Sequence, residues 1–303
     1  MRRPDAGVPV LDVGRFAATR DDPALVEDLA QALSDFGFVG LVGHGVTEAT
    51  TARCEAAMQA LFALPAATKR AHETPGDGRQ RGYTGTGVEH AKDASVADLK
   101  EFWHVGRDAP ELPKNRFPSQ VPDLAGAARG LFAALDELSL LMLDAIARGL
   151  SLPADWFTSR VAGGNTVLRL IHYPPLDPGI RQGAVRAAAH EDINLITLLP
   201  VASEPGLEIR TRTGEWVAVR PPPAAIVLDT GDMMQLMTEG RLPATTHRVV
   251  NPPSATADRA RYSMPLFVHP RPGVRLDPIS GGPPGPLAEA FLLQRLRETG
   301  VAD

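Results

Sequence analysis

The chain has 303 residues, of which 44% are apolar and 22% charged, and a net charge of −5; this is ample length for a sizeable core and an ordinary balance for a water-soluble globular protein. The mild acidity gives no general attraction to nucleic acid or to anionic membranes. No charged stem with an apolar stretch and a small-residue cleavage site opens the chain, and no uninterrupted apolar run could span a bilayer, so a cytoplasmic protein is expected.

Residues 8–12 read as a short strand. Asp22-Pro23 supplies an N-cap and a first-turn proline for a helix with Leu25, Val26, Leu29, Ala30 and Leu33 on one face, closed by Phe36-Gly37. Residues 38–42 form a strand, Gly43-His44-Gly45 a turn, and Thr47 caps a second helix that runs through Phe62. The single cysteine, Cys54, lies in this apolar helical segment and reads as a buried core thiol; it excludes an intramolecular disulfide and any Cys-based zinc cluster. A third short helix is expected from Pro65 to His72. Residues 74–95 are Gly-rich and polar and read as a loop that carries Arg81 and Tyr83. In the strand from Leu99 to Val105, Lys100, Phe102 and His104 share one face, and Glu101 and Trp103 the other. Residues 110–122 read as a linker. Leu124, Ala128, Leu131, Leu135, Leu138, Met142 and Ala145 then recur at steps of four and three, which marks one long amphipathic helix and core packing.

Beyond Thr166 the pattern changes to short strands separated by Gly and Pro turns, which argues for a sandwich or barrel. Residues 166–173 alternate, with Arg169, Ile171 and Tyr173 on one side and Leu168, Leu170 and His172 on the other. Residues 188–199 read as one buried strand entered through a polar His190-Glu191-Asp192 turn. Residues 207–210 and 216–219 flank Thr213-Gly214 as a hairpin. Residues 225–229 form a further strand, after which Gly231-Asp232 turns the chain. Residues 286–298 are a last amphipathic helix, with Leu287, Phe291 and Leu292 placed to pack over the barrel.

The chemistry concentrates in three places. His190 and Asp192 stand two apart, so on an extended backbone both point to one side and can share an ion. His247, 57 residues further on, is the candidate third ligand; two imidazoles and one carboxylate form the facial set that leaves positions open on Fe(II). Arg261 and Ser263 share the face of another strand, where a planar guanidinium and a hydroxyl suit a bidentate carboxylate. A buried arginine without an anion would be costly.

These motifs resemble the iron- and 2-oxoglutarate-dependent dioxygenases, in particular the isopenicillin N synthase-like branch. The resemblance extends to Asp35-Phe36-Gly37-Phe38, His44-Gly45-Val46, Phe62-Ala63-Leu64-Pro65, Arg81-Gly82-Tyr83, Glu101-Phe102-Trp103, His172-Tyr173-Pro174-Pro175 and Gly231-Asp232-Met233. It implies a mainly β fold with flanking helices: a double-stranded β-helix (jelly-roll) core at residues 161–270, an N-terminal α/β region at 1–120, a backing helix and linker at 121–160, and a C-terminal helical segment at 271–303. It also implies Fe(II), O2 and 2-oxoglutarate as cosubstrate, with His190, Asp192 and His247 on the metal and Arg261, Ser263 and Tyr173 on the distal carboxylate. Arg81 and Tyr83 would lie near the barrel mouth, and Phe102 and His104 on a pocket-lining face, as contacts for a small-molecule substrate. His44 would be a structural turn. His172 lies on the wrong face to be a further ligand.

The reaction so implied releases succinate and CO2 and oxidises an unactivated C–H bond, usually by hydroxylation. Three other readings compete: an Fe(II) oxidase that needs no 2-oxoglutarate, a zinc hydrolase, and a jelly-roll binding protein with a vestigial site. The intact Arg261/Ser263 strand would have no purpose in the hydrolase, and the intact ligand set speaks against the vestigial site.

Overall fold

A computed structural model describes residues 7–91, 96–176 and 184–301, so the end of the loop at residues 74–95 lies outside the described residues. The N-terminal region alternates strands and helices. β1 (Val10–Asp12) leads into α1 (Gly14–Thr19), a single short helix that no apolar periodicity announces. α2 (Pro23–Phe36) begins where Asp22 accepts from the Leu25 N–H at 3.3 Å and has Pro23 in its first turn. It ends at Gly37, whose φ of 64° is left-handed and whose added Cβ would lie 2.3 Å from Thr245 Oγ1 and 2.7 Å from Pro243 O. Only glycine tolerates both conditions. The end of α2 is thereby pressed against the segment that leads to His247.

β2 (Phe38–Val42) is followed by α3 (Glu48–Phe62), capped by Thr47, whose hydroxyl oxygen accepts from the Thr50 N–H at 3.2 Å. α4 (Ala66–Arg70) comes next, and β3 (Gly82–Thr84) emerges from within the loop, paired with β4 (Glu101–Gly106). Then come α5 (Leu124–Gly149), α6 (Thr158–Val161), β5 (Val167–Tyr173), β6 (Ala187–His190), β7 (Ile196–Pro200), β8 (Leu207–Arg210), β9 (Trp216–Ala218), β10 (Ile226–Thr230) and α7 (Asp232–Met237). The chain finishes with β11 (His247–Val249), β12 (Arg261–Ser263), β13 (Leu266–Val268) and α8 (Ala288–Glu298).

Among the described residues the strands form two sheets. The larger has nine strands in the order β1-β2-β10-β7-β13-β5-β4-β3, with β12 also on β5; the smaller has four in the order β6-β11-β8-β9. The two sheets form a jelly roll with a cavity between them. α5 backs the larger sheet: its Leu131, Leu135, Leu138 and Met142 are buried in one cluster with Val105, Leu168, Leu170, Leu198 and Leu266. Each such leucine, fully buried, contributes about 1.5–3 kcal/mol. The opposite face of β4 and β5 carries Phe102, Ile171 and Tyr173 against Ala187 and Val249 of the smaller sheet. Among the described residues no helix is long and apolar enough to cross a membrane.

Residues 188–199 are not one strand. His190 closes β6 in the smaller sheet, residues 191–195 turn, and β7 runs in the larger sheet between β10 and β13. Asp192 and Asn194 break the run because their side chains bond within the turn: Thr197 Oγ1 accepts from Asn194 Nδ2 at 3.0 Å and donates to Asp192 Oδ2. The turn, not strand alternation, therefore brings Asp192 to the side of His190. The run from Arg261 to Val268 is likewise divided at Met264-Pro265, since proline cannot continue the ladder.

Candidate active site

β6 and β11 pair antiparallel with His190 opposite His247, which sets two imidazoles side by side, 4.4 Å between ring centroids. Asp192 Oδ1 reaches toward both, 4.0 Å from His190 Nε2 and 3.7 Å from His247 Nε2, and the three candidate donor atoms lie within 4.8 Å of one another. Every other polar atom of the group is engaged. His190 Nδ1 lies 2.8 Å from Ala188 O and His247 Nδ1 3.1 Å from Thr245 O. Each Nδ1–H donates to a carbonyl, which leaves the Nε2 lone pairs for a metal. Asp192 Oδ2 takes the Thr197 hydroxyl, so Oδ1 remains. Burial, and then the neighbouring His190, lower the His247 pKa to about 4, so this imidazole is neutral at pH 7. Behind Asp192, burial and the Asp192 charge raise the Asp229 pKa well above the usual carboxylate range. The turn is pinned from outside by Asp232, whose N–H donates to Asp192 O at 2.7 Å, and by Gly231, where a Cβ would lie 2.4 Å from Asn194 O. The donor set fits a divalent metal that accepts nitrogen and oxygen ligands.

Further along the cavity, β12 pairs with β5 so that Arg261 stands opposite Tyr173 and Ser263 opposite Ile171. Arg261 is 2% exposed; its guanidinium lies 5.0 Å from the Tyr173 ring centre and donates from Nε to Glu204 O at 3.0 Å. Nη1 is buried with no acceptor, and no carboxylate among the described residues pairs with the group. Burial lowers its pKa, a sign that the charge is short of partners. A ligand carboxylate is the chemistry that fits.

The third wall is charged. Arg169 lies 4.2 Å from the Phe102 ring centre, donates from Nη1 to Glu89 at 3.0 and 3.1 Å, and donates from Nε to His104 Nε2 at 2.7 Å. His104 Nδ1 donates to Arg79 O at 2.9 Å. Burial, with Arg169 second, lowers the His104 pKa well below the ordinary imidazole value, so the ring stays neutral and accepts. Lys100 Nζ bridges Glu89 Oε2 at 2.7 Å and Asp98 Oδ2 at 2.8 Å. Leu292 and Leu296 of α8, with Thr299 just after it, line one end of the cavity, and Arg295 ties the helix to Asp232 at 2.9 Å.

The structure thus brings His190, Asp192, His247, Arg261, Ser263, Tyr173 and His104 to one cavity, with Phe102 beneath Arg169. It places Arg81 and Tyr83 elsewhere. The Arg81 guanidinium is buried over Gly106, where a Cβ would lie 2.1 Å from Cζ, and it donates to Gln80 O at 2.7 Å and Asn165 Oδ1 at 2.9 Å. Tyr83 is in the main core and its hydroxyl donates to Glu101. His172 points away from the cavity, stacked between Phe62 and Tyr262 with Nδ1 2.8 Å from Glu101 Oε1. His44 holds a turn: its Nδ1 accepts from the Val46 N–H at 3.1 Å and Nε2 lies 2.9 Å from Ala224 O. Cys54 is buried, its pKa raised to about 12 by burial. Sequence reasoning missed Glu89, Asp98, Lys100 and Thr197; the signal for Lys100 was its place on the same strand face as Phe102 and His104.

A jelly roll with two imidazoles and a carboxylate beside a buried, unpaired arginine is the architecture of a non-haem iron oxygenase. Comparison with known proteins agrees. Residues 8–124 match the N-terminal family described as non-haem dioxygenase in morphine synthesis, and residues 164–270 match the 2OG-Fe(II) oxygenase superfamily. The proline hydroxylase buaE of Petromyces alliaceus is 31% identical over 270 residues, 85% of each chain. A solved 2OG-Fe(II) oxygenase family protein of Caulobacter crescentus is 35% identical, with a TM-score of 0.86 over 97% of this chain and 99% of that one. A full-length Neurospora crassa protein, solved in complex with alpha-KG and thymine, is 26% identical, with a TM-score of 0.85 over 98% of each chain. The chain belongs to the 2OG-Fe(II) oxygenase superfamily, non-haem dioxygenases that use Fe(II), 2-oxoglutarate and O2.

Proposed function

We propose that His190, Asp192 and His247 hold Fe(II), that Arg261 and Ser263, with Tyr173 beside them, hold the distal carboxylate of 2-oxoglutarate, and that the enzyme hydroxylates an unactivated C–H bond of a small molecule. The observation that carries this reading is the convergence of three free donor atoms within 4.8 Å, each on a side chain whose other polar atom is already bonded. Bound Fe(II) and 2-oxoglutarate supply the activation of O2, with release of succinate and CO2. The chain's own residues bind and orient. Arg261 fixes the far end of the cosubstrate, the Arg169-Glu89-Lys100 wall meets the substrate's polar edge, and α8 keeps bulk water from the reacting carbon. The wall's two cations and two carboxylates compensate one another, which favours a substrate without large net charge. The hydroxylase named among the relatives supports hydroxylation over desaturation or ring closure.

Anaerobic titration of the Fe(II) protein with 2-oxoglutarate tests the site: a weak visible charge-transfer band is expected, and succinate on admission of air. Iron binding without a band or succinate would favour the 2-oxoglutarate-independent oxidase. Mass spectrometry of candidate substrates after turnover, with a gain of one oxygen atom expected, tests hydroxylation.

A further inference from the structure

β6 is an edge strand: among the described residues it pairs only with β11, and its other side has no neighbouring strand. An edge leaves N–H and C=O groups that need partners. Here the partners come from the segment just before β4. Leu99 N–H donates to Val185 O at 3.0 Å, and Asp98 Oδ1 accepts from the Ala188 N–H at 2.9 Å. Ala188 is the residue whose carbonyl accepts from His190 Nδ1 at 2.8 Å. One residue therefore receives Asp98 on its N–H side and orients the imidazole through its C=O side. Asp98 is itself fixed: it is 4% exposed, its N–H donates to Glu89 O at 3.1 Å, and its Oδ2 lies 2.8 Å from Lys100 Nζ.

We propose that Asp98 is a positioning residue for His190, clipping the free edge of β6 so that Ala188 O holds the imidazole with Nε2 aimed at the metal, and that Lys100 keeps the clip in place. The proposal rests on the reading of His190 as an iron ligand. It explains why two charges are buried at a point that packing alone could fill with apolar side chains, since a hydrophobic pair could not accept the Ala188 N–H.

The test is anaerobic Fe(II) titration of wild type, Asp98→Ala, Asp98→Asn and Lys100→Met, with the 2-oxoglutarate charge-transfer band as a second readout and a thermal melt of the metal-free proteins to report folding. Asp98→Ala is expected to weaken Fe(II) binding about 10- to 100-fold, the scale for losing a group that orients a metal ligand, and to shift or broaden the band. Asp98→Asn keeps an oxygen for Ala188 but turns its NH2 toward the Lys100 ammonium, and is expected to recover part of the affinity lost in Asp98→Ala. Lys100→Met, which leaves Asp98 present but unanchored, is expected to lose affinity in the same direction by a smaller factor. A folded Asp98→Ala that binds Fe(II) like wild type overturns the proposal. If Asp98→Ala does not fold, unchanged affinity in Lys100→Met overturns it. A wild-type protein that binds no Fe(II) would instead sink the underlying site reading, so the two failures are distinct.

Discussion

At the scale of single residues, Arg261 is the side chain most out of balance, a buried guanidinium with one Nη unpartnered and no carboxylate among the described residues to meet it. Arg261→Ala is expected to weaken 2-oxoglutarate by about 2–4 kcal/mol, the range for truncating one side of a buried charge pair, read from the charge-transfer titration. A change confined to the prime substrate's apparent affinity would show that the guanidinium serves another ligand. Thr197 makes a second case, because its hydroxyl occupies the Asp192 oxygen that faces away from the two imidazoles. Thr197→Val keeps the shape and removes the donor. Fe(II) affinity should fall about 10- to 100-fold by equilibrium titration, with little change in fold. Thr197 does not stand out in the sequence, because its acceptor Asp192 is brought to it only by the turn at residues 191–195; Arg261 does, because it heads an apolar run, where burial of a charge demands a partner. Arg81 and Tyr83 were misplaced for the converse reason: their partners, Asn165 and Glu101, are remote in sequence, so nothing local says that they are already satisfied.

At the scale of elements, the face of β4 turned away from the cavity carries its own buried network. Glu101 takes Lys69 Nζ at 2.8 Å, His172 Nδ1 at 2.8 Å and the Tyr83 hydroxyl, joining α4, β3, β4 and β5. Burial alone would raise the Glu101 pKa, but the hydrogen bonds from His172, Lys69 and Tyr83 outweigh it, and the net shift is downward. A carboxylate with a lowered folded pKa contributes stability that is complete above its unfolded pKa and is lost as pH falls through the folded value. Glu101→Gln leaves the Lys69 ammonium buried without its counter-charge and should lower stability by about 3 kcal/mol at neutral pH, measured by urea unfolding. The difference from wild type should shrink as pH falls below the unfolded carboxylate value of about 4.3, and be lost only as pH passes through the lower folded value, where the carboxylate is protonated in both states. The helices behind this network were readable, since α2, α3 and α5 have caps or apolar periodicity that local chemistry dictates. The division of residues 188–199 between two sheets was not. A run of β-branched residues reports extended backbone, but which sheet it joins depends on β10, β11 and β13, all far away in sequence.

At the scale of the whole molecule, the cavity collects neutral histidines. His104 is held well below the ordinary imidazole value, and the His269 pKa is lowered to about 4, in both cases chiefly by burial. Below about pH 6.5 the unfolded chain takes up protons that these buried rings refuse, so stability must fall with pH in that window. Each group adds a slope of up to about 1.4 kcal/mol per pH unit. The urea midpoint of the metal-free protein should therefore drop between pH 6.5 and 5; a flat midpoint would mean that the rings are charged or hydrated in the folded state.

The strand order has a consequence for synthesis. β2 lies between β1 and β10, so residues 38–42 cannot complete their pairing until residues 226–230 have left the ribosome. Throughout that interval the nascent chain carries Phe38, Val39 and Leu41 on an open strand edge, the kind of surface that neighbouring chains extend into aggregates. A chain stalled shortly before residue 226 would be a chaperone client. Emergence of β10 is the event that releases it.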